Sequence, residues 1–466
     1  MKYFRYPGVY RPKLSSDVRS QPIPPSPMRL KLLSKLLLRK LSNNEFDGIR
    51  ALIAKDPRWS IATICSGSES PMLAWQGLVA ALSEEGIGMS LEHVYACEID
   101  PEKRRWILEM FPGSQVFQDA LELEKDTAKN DAGEYVQVPQ RWRVQIAGFP
   151  FTAASMMNVN QASTEKRSCI MNETLATGSV FGAIRKQAAM HLKLFEADIE
   201  AGYVTFMALE NVLNLAVRTK GFRLSNLEQV VQVLAEVGWI CVAFHLSPED
   251  FGVPVHRPRL WIVPVPRLCI EAAGLTEETF RECMHDCMNR LIGFDMEPLD
   301  SYLLPDDSEV VQAYLEACQA KEAVRCGDVC EAIITSGGLV PQCARKSGKK
   351  EQTRIETPRW VSRHEKAFMK SGGDWTAARR FGEREVKEFP GLAALSDRQV
   401  EALELAGVTQ FPEKEARVIE LKHSNDRCRL GQKASCILPG GQQYLTHKGR
   451  LMLPWEALGL QGIRLS

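Results

Sequence analysis

The chain has 466 residues, 45% hydrophobic and 25% charged, and its 58 basic and 58 acidic side chains cancel to a net charge of zero. That length and balance suit a globular chain of about two or three domains, and they exclude any argument for nucleic-acid binding from total charge, leaving it to local patches. Thirteen cysteines, an odd number in an ordinary composition without a secretory leader, argue for reduced thiols and hence for the nucleus or cytoplasm.

Residues 1 to 50 carry eleven Lys and Arg against the three acids Asp17, Glu45 and Asp47, an excess that suits an acidic partner and also fits an organellar transit segment. Pro7, Pro12, Pro22, Pro24, Pro25 and Pro27 mark residues 1–27 as an arm without regular structure. Leu30 to Leu41 is apolar but interrupted by Lys31, Lys35, Arg39 and Lys40, which predicts a basic amphipathic helix and not a membrane span. The folded core is expected to begin near Trp59.

Ser60 to Cys65 reads as a buried strand, Ser66-Gly67-Ser68-Glu69-Ser70-Pro71 as the turn after it, and Met72 to Leu82 as a helix. Strand, glycine-containing turn and helix open a nucleotide-type α/β unit. His93 to Asp100 is a second strand ending in the acids Glu98 and Asp100, where Asp100 caps the predicted helix Pro101 to Phe111. Val116 to Ala120 gives a third strand end at Asp119, which by itself is an ordinary loop acid. A polar break, Ala128 to Arg141, precedes the apolar run Arg143 to Ala147 and the loop Gly148-Phe149-Pro150-Phe151-Thr152. A Phe-Pro loop at the carboxyl end of a strand is a common turn, yet open α/β sheets also place their chemistry there. Further on come the polar stretch Asn158 to Asn172, a helical pattern from Ser179 to Ala201, the apolar run Tyr203 to Ala208 ending in Leu209-Glu210-Asn211-Val212, a helix Leu227 to Val237, a strand Trp239 to Leu246, and the strand-like Arg257-Pro258-Arg259-Leu260-Trp261-Ile262.

Gly-Phe-Pro, then Glu-Asn-Val, then Arg-Pro-Arg before an apolar strand, in that order, resembles the DNA cytosine-5 methyltransferase family. The resemblance covers somewhat over half of the chain and implies an α/β fold with a Rossmann-like S-adenosylmethionine-dependent methyltransferase sheet and an inserted α-rich recognition region. It divides the chain into a basic extension (1–58), a catalytic core (59–264), a target-recognition region (265–432) and a return to the core (433–466). By resemblance, Ser66, Gly67, Ser68 and Pro150 line the cofactor, Glu98 holds its ribose and Asp119 its adenine amine. Glu210 holds the cytosine ring nitrogen and amine, Asn211 fixes the loop, and Arg257 and Arg259 orient the base carbonyl and brace the loop, although two strand-edge arginines also pair readily with surface acids. DNA, with the target base flipped out of the stack, is the implied partner.

The departures concern function. Phe151 stands where the family has its nucleophilic cysteine, Glu69 where the second turn glycine belongs, Cys65 in place of an aromatic and Val255 in place of a glutamine. A side chain at a positive-φ glycine position costs energy, and the Glu69 carboxylate is expected to repel that of the cofactor. The family's closing Gly-Asn helix is not found before Ser466. Weak cofactor binding and impaired methylation are the expectation. The alternative is a non-catalytic DNA-binding or scaffold protein on the same fold.

From Pro266 to about Gln432 the strand pattern is expected to stop. Helices are predicted at Thr276 to Ile292, Asp307 to Ala323 and Asp397 to Ala406, and a basic tract with interleaved aromatics at Arg345 to Arg384 suits phosphate contact and base stacking. Cys283 with Cys287, and Cys326 with Cys330, share helical spacing that zinc can use, but buried helical thiols explain them better. No other thiol is expected to replace the missing nucleophile: Cys169, in the polar stretch, would have to fold into the base pocket to do so. Arg450 to Gly462 resembles the family segment that packs the recognition region back on the core.

Overall fold

The computed structural model describes residues 8–12, 29–150, 170–172, 175–218, 221–325, 390–406, 415–421, 431–437 and 441–461. Phe151, Cys169, most of the stretch Asn158 to Asn172, the tract Arg345 to Arg384 and the pair Cys326 and Cys330 lie outside these residues.

The β-branched and aliphatic runs found in the sequence build one eight-stranded sheet. Its strands are β1 (Val9–Tyr10), β2 (Arg58–Ile64), β3 (Ser90–Cys97), β4 (Val116–Phe117), β7 (Val144–Ala147), β8 (Phe206–Asn211), β9 (Trp239–Leu246) and β11 (Arg259–Pro266). They lie in the order β1-β9-β11-β8-β7-β2-β3-β4. β2, β3, β4, β7 and β8 run parallel to one another, whereas β11 is antiparallel to both β8 and β9. From the central β2, the chain first builds outward through β3 and β4, then turns to the other side with β7 and β8. The crevice between the carboxyl ends of β2 and β7 is therefore a topological switch point, the place where open α/β sheets bind ligands.

Helices cover both faces, as parallel strands buried on two sides require. On one face α5 (Ala176–Glu200) and α6 (Asn226–Glu236) enclose Phe181, Ile184, Met207, Leu209, Leu234 and Trp239. On the other, α1 (Arg29–Arg39), α2 (Asn43–Lys55), α3 (Ser70–Glu84) and α4 (Pro101–Met110) pack over Ile61, Met72, Ala96, Ile107 and Val144. α7 (Arg267–Ala272) follows the last strand, and α8 (Glu277–Leu291) lies along β9 through Phe280, Met284 and Met288. α9 (Glu309–Arg325) lies beyond it. No helix among the described residues is long and apolar enough to cross a membrane.

Several expectations need correction. The ordered core does not start near Trp59: α1 and α2 precede it, α2 opening on a capping box in which Ser42 and Glu45 exchange hydrogen bonds. Part of the proline-rich arm is also structured. Val9 and Tyr10 pair with Ala243 and Phe244, Tyr10 donates to Asn289 at 2.8 Å, and its ring stacks on His285. The polar break at Ala128 to Arg141 holds a hairpin of β5 (Thr127–Lys129) and β6 (Tyr135–Gln137) around the left-handed Gly133. The region before Gln432 contains a strand, β12 (Val418–Glu420), which joins β14 (Gln443–Leu445) and β15 (Arg450–Leu451) in a small antiparallel sheet. A further pair, β10 (Val255–His256) with β13 (Ala434–Ser435), ties this lobe to the main sheet. Cys283 is exposed, not buried, on α8, while Cys287 is half-buried. Among the described residues no group of three or more His, Cys, Asp or Glu is arranged to hold a metal ion.

Candidate functional site

The turn after β2 is held from the end of β3, by the Glu98 side chain and the Cys97 backbone. Gly67 takes φ +60°, and a Cβ there would meet nothing within 4 Å, so this backbone faces open space. Its N–H donates to Glu98 Oε2 at 2.8 Å, while Glu98 Oε1 accepts from the Asp100 N–H at 3.1 Å. The Glu98 carboxylate thus stitches two strand ends together and is itself nearly buried. Ser66 binds Thr63 through its hydroxyl at 2.7 Å and donates its backbone N–H to the Cys97 carbonyl. The Ser68 carbonyl accepts from the Trp106 indole. Asp100 caps α4 by accepting from Glu102 and Lys103, and Asp119 caps a short turn by accepting from Leu121 at 2.9 Å.

The Glu69 carboxylate does not face the cleft, contrary to the sequence reading. Glu69 does take a left-handed φ of +57°, but its side chain is fully buried and lies 3.4 Å from His93 Nε2, behind the turn. The inferred repulsion of a cofactor carboxylate has no source there. Cys65, also left-handed at φ +55°, has a thiol pushed up to about 12 by burial first and the Glu98 charge second, which leaves it protonated and inert at neutral pH. Two residues went unnoticed in the sequence. Ile99 is 76% exposed between the acids Glu98 and Asp100, and Leu121 is 40% exposed just past Asp119. Apolar side chains left in water on the rim of a polar crevice are suited to a flat ring. The signal was an isoleucine between two acids at a strand end.

The second half of the site lies where β7, β8 and β11 end. Asn211 is buried and donates through Nδ2 to the Phe149 carbonyl at 3.0 Å, fixing the loop that runs through the half-buried Pro150. Glu210 sits on the opposite face of β8, across from Trp261 in the antiparallel register, so Arg259 is its diagonal neighbour. Arg259 Nε meets Glu210 Oε1 at 2.8 Å, and Arg257 Nη2 lies 3.7 Å from the same oxygen. A Cβ on Gly148 would lie 3.6 Å from Glu210 Oε2, so this glycine leaves the carboxylate open toward the loop. Glu210, Asn211, Arg257 and Arg259, spread over about 50 residues, converge as the motif order suggested. The arginines bond inward to Glu210 and not to surface acids.

Cys436 was not foreseen. Its Sγ accepts from Arg257 Nη1 and Arg259 Nη2, both at 3.3 Å. It stands 179 residues from Arg257 in the chain, and no local pattern marks it.

No family model matches the chain. Two curated relatives do. It is 24% identical over 413 residues to the DNA (cytosine-5-)-methyltransferase DMT5 of Cryptococcus neoformans var. grubii, covering 86% of this chain and 15% of the relative. It is 22% identical over 441 residues to the enzyme of the same name from Verticillium dahliae, covering 87% of this chain and 18% of the relative. The chain therefore spans less than a fifth of these relatives, and the position of Ser466 says nothing about a closing helix. Among solved structures, a mutant of Spodoptera frugiperda DNMT2 aligns at 18% identity over 45% of this chain and 50% of its own, with a TM-score of 0.28. A putative DNA modification methyltransferase of an E. coli prophage aligns at 13% identity over 53% of this chain and 56% of its own, with a TM-score of 0.31. Scores that low carry no argument, and the fold rests on the strand order above.

That order, with its antiparallel β11 and its crevice at the switch point, defines a Rossmann-like α/β domain of the methyltransferase type. Within that class, both curated relatives carry the name of the DNA cytosine-5 methyltransferase family that the motifs resemble, at 24% and 22% identity.

Proposed function

We propose that this chain is the methyltransferase-like domain of a DNA cytosine-5 methyltransferase, binding S-adenosylmethionine in the β2–β4 crevice and a flipped cytosine beside Glu210. The observation that carries it is the convergence of Glu210, Arg259 and the Asn211-anchored Phe149 loop at one sheet edge. A carboxylate, a guanidinium and a fixed backbone can together match the amine, ring nitrogen and carbonyl of cytosine. Such a base must leave the stack to reach them.

The cofactor site fits its group. The open Gly67 backbone suits the approach of the methionine portion, the Glu98 oxygens suit ribose hydroxyls, the Asp119 carboxylate suits the adenine amine, and Ile99 with Leu121 suit the faces of the ring. When bound, S-adenosylmethionine supplies an electrophilic methyl group. The chain's own residues orient the base: Arg259 holds Glu210 in place, and Glu210 presents the oxygen beside Gly148 to the ring. Phe151 cannot attack carbon 6, so the loop supplies no nucleophile. That substitution favours the second reading, a DNA-binding scaffold on this fold. In both readings the Arg345 to Arg384 tract contributes phosphate contacts that weaken with salt.

The test is binding. In calorimetry, Glu98→Ala should weaken S-adenosylmethionine binding by roughly tenfold or more, the worth of a charged hydrogen bond. In gel shifts, a mismatch at the target cytosine should tighten binding by the unmodified chain, and Glu210→Ala should abolish that preference. Wild-type protein that binds neither ligand refutes the proposal. DNA binding without a mismatch preference leaves the scaffold reading.

A further inference from the structure

The turn after β2 is also held from behind. Its backbone is left-handed at Cys65 (φ +55°), Gly67 (φ +60°) and Glu69 (φ +57°), and at two of these a Cβ disfavours that conformation. Something in the fold must offset the strain. The Gly67 N–H is tied to Glu98 and the Ser68 carbonyl to Trp106. The Glu69 side chain instead runs into the core at 0% exposure, where neither of its oxygens accepts a hydrogen bond from any described residue. Its ionisable neighbour there is His93, whose Nε2 lies 3.4 Å away and likewise makes no hydrogen bond among the described residues. His93 is fixed in turn, with Nδ1 2.8 Å from the Ser114 hydroxyl and the ring edge-on to Phe111. A buried carboxylate without donors is costly unless a cation or a proton stands beside it, and the imidazole is placed to supply either.

The sheet departs from its own pattern to bring that imidazole there. Ile61 pairs with His93 but Ala62 pairs with Tyr95, so Val94 is an extra residue, a β-bulge in β3. Strict alternation would put His93 on the side of Tyr95 and Cys97, which pack toward α5. With the bulge, Leu91 and His93 face α3 and α4 instead, and His93 meets Glu69 and Phe111. Bulges beside functional sites re-aim side chains in this way.

We propose that His93 is a positioning residue for the cofactor: through Glu69 it fixes the left-handed turn in which Gly67 keeps its backbone open and reaches Glu98. This role rests on the cofactor reading above. Glu69 in a glycine position is then a second anchor of the turn. One substitution separates an anchor from mere crowding. Glu69→Gly removes a Cβ from a positive-φ position, so a side chain that only crowds the turn would leave S-adenosylmethionine binding equal or tighter when it is removed. Loss of an anchor weakens binding, although glycine is the easier residue for that backbone.

The experiment is calorimetry with S-adenosylmethionine on the full chain, comparing wild type, Glu69→Gly, His93→Phe and the double variant. Each single change should weaken binding about tenfold, and the double variant should be no weaker than either alone, because two residues acting as one pair are not additive. His93→Gln, which returns an amide donor to the carboxylate, should bind more tightly than His93→Phe. Binding by Glu69→Gly as tight as wild type, losses that multiply in the double variant, or no recovery in His93→Gln overturns the role. If His93→Phe does not fold, Glu69→Gly decides, since it strands no charge. Hydrogen exchange without cofactor separates the two layers. Amides from Ser66 to Met72 should exchange about tenfold faster in Glu69→Gly and His93→Phe, with α5 unchanged. Unchanged protection in the turn, or a rise of equal size in α5, overturns the anchor whatever the cofactor result. Faster exchange confined to the turn, in a chain whose wild type binds no S-adenosylmethionine, supports the anchor and refutes the cofactor reading alone.

Discussion

His191 shows how one buried side chain sets a pH limit. It stacks on Trp142 at 3.8 Å between ring centres, inside the core under α5, and its Nδ1 lies 3.2 Å from the Gln140 carbonyl. Burial, chiefly, with a smaller push from Arg141, lowers its pKa to about 4 against the partly opposing Gln140 contact. The unfolded chain therefore takes up a proton as pH falls through about 6.5, while the folded chain resists it down to about 4. Stability is full above that window and declines through it, by up to roughly 3 kcal/mol for this one group. Asp56, Glu45 and Glu228, all lowered in the fold, lose stability on further acidification. Denaturant melts at pH 7 and pH 5 should show a lower midpoint at pH 5, and His191→Phe should flatten the difference. An equal drop in that variant would place the pH response elsewhere.

At the scale of elements, the packing of α1 on α3 depends on the absence of a side chain. A Cβ on Gly77 would lie 2.9 Å from the backbone carbon and the Cβ of Leu30, and neither atom belongs to a flexible tip that can swing aside. Gly77→Ala should therefore push α1 off the sheet face, where Leu36 and Leu38 are buried, and cost about 1–3 kcal/mol as an overpacked contact does. A thermal melt measures the loss, and hydrogen exchange should show faster opening in α1 than in α5. An unchanged melting temperature would mean that α1 contributes little to the fold. Glycine is a poor helix former, so its place in mid-helix is explained by this close approach.

At the scale of the molecule, the chain leaves the main sheet at Pro266 and comes back beside it where Ala434 and Ser435 pair with Val255 and His256, and one buried ion pair holds the lobe that makes this return. Arg450 meets Glu456 through two hydrogen bonds at 2.9 and 2.7 Å, both side chains about 1% exposed. The same carboxylate accepts the N–H groups of Leu453 and Leu304, the latter from a segment 152 residues earlier. Replacing such a pair with apolar groups can be neutral, but removing one partner strands the other. Glu456→Ala should cost about 3–5 kcal/mol, with loss of exchange protection across β12, β14 and β15. The lobe also holds Cys436 against Arg257 and Arg259, so those contacts should loosen with it. A melt within about 0.5 kcal/mol of wild type, the usual range for surface changes, would count against the pair as the closure of the lobe.

Local signals were enough for the strands from Ser60 to Ile262 and for the acids at their ends, because alternation, apolar runs and capping residues act over a few residues. The convergence of Glu210, Asn211 and Arg259 followed from motif order. Other features required the folded chain. The inward turn of Glu69 toward His93 depends on what lies behind the loop, which the spacing of a turn does not encode. The helix at Leu30 to Leu41 was legible in its own pattern, but the two-residue strand at Val9 forms because β9 offers it an edge, and α1 and α2 belong to the core because the sheet offers them a face. Cys436 is the extreme case. An ordinary thiol in the chain acquires two guanidinium neighbours because a parallel bridge between β10 and β13 brings together segments 179 residues apart, and such a contact is fixed by tertiary register alone.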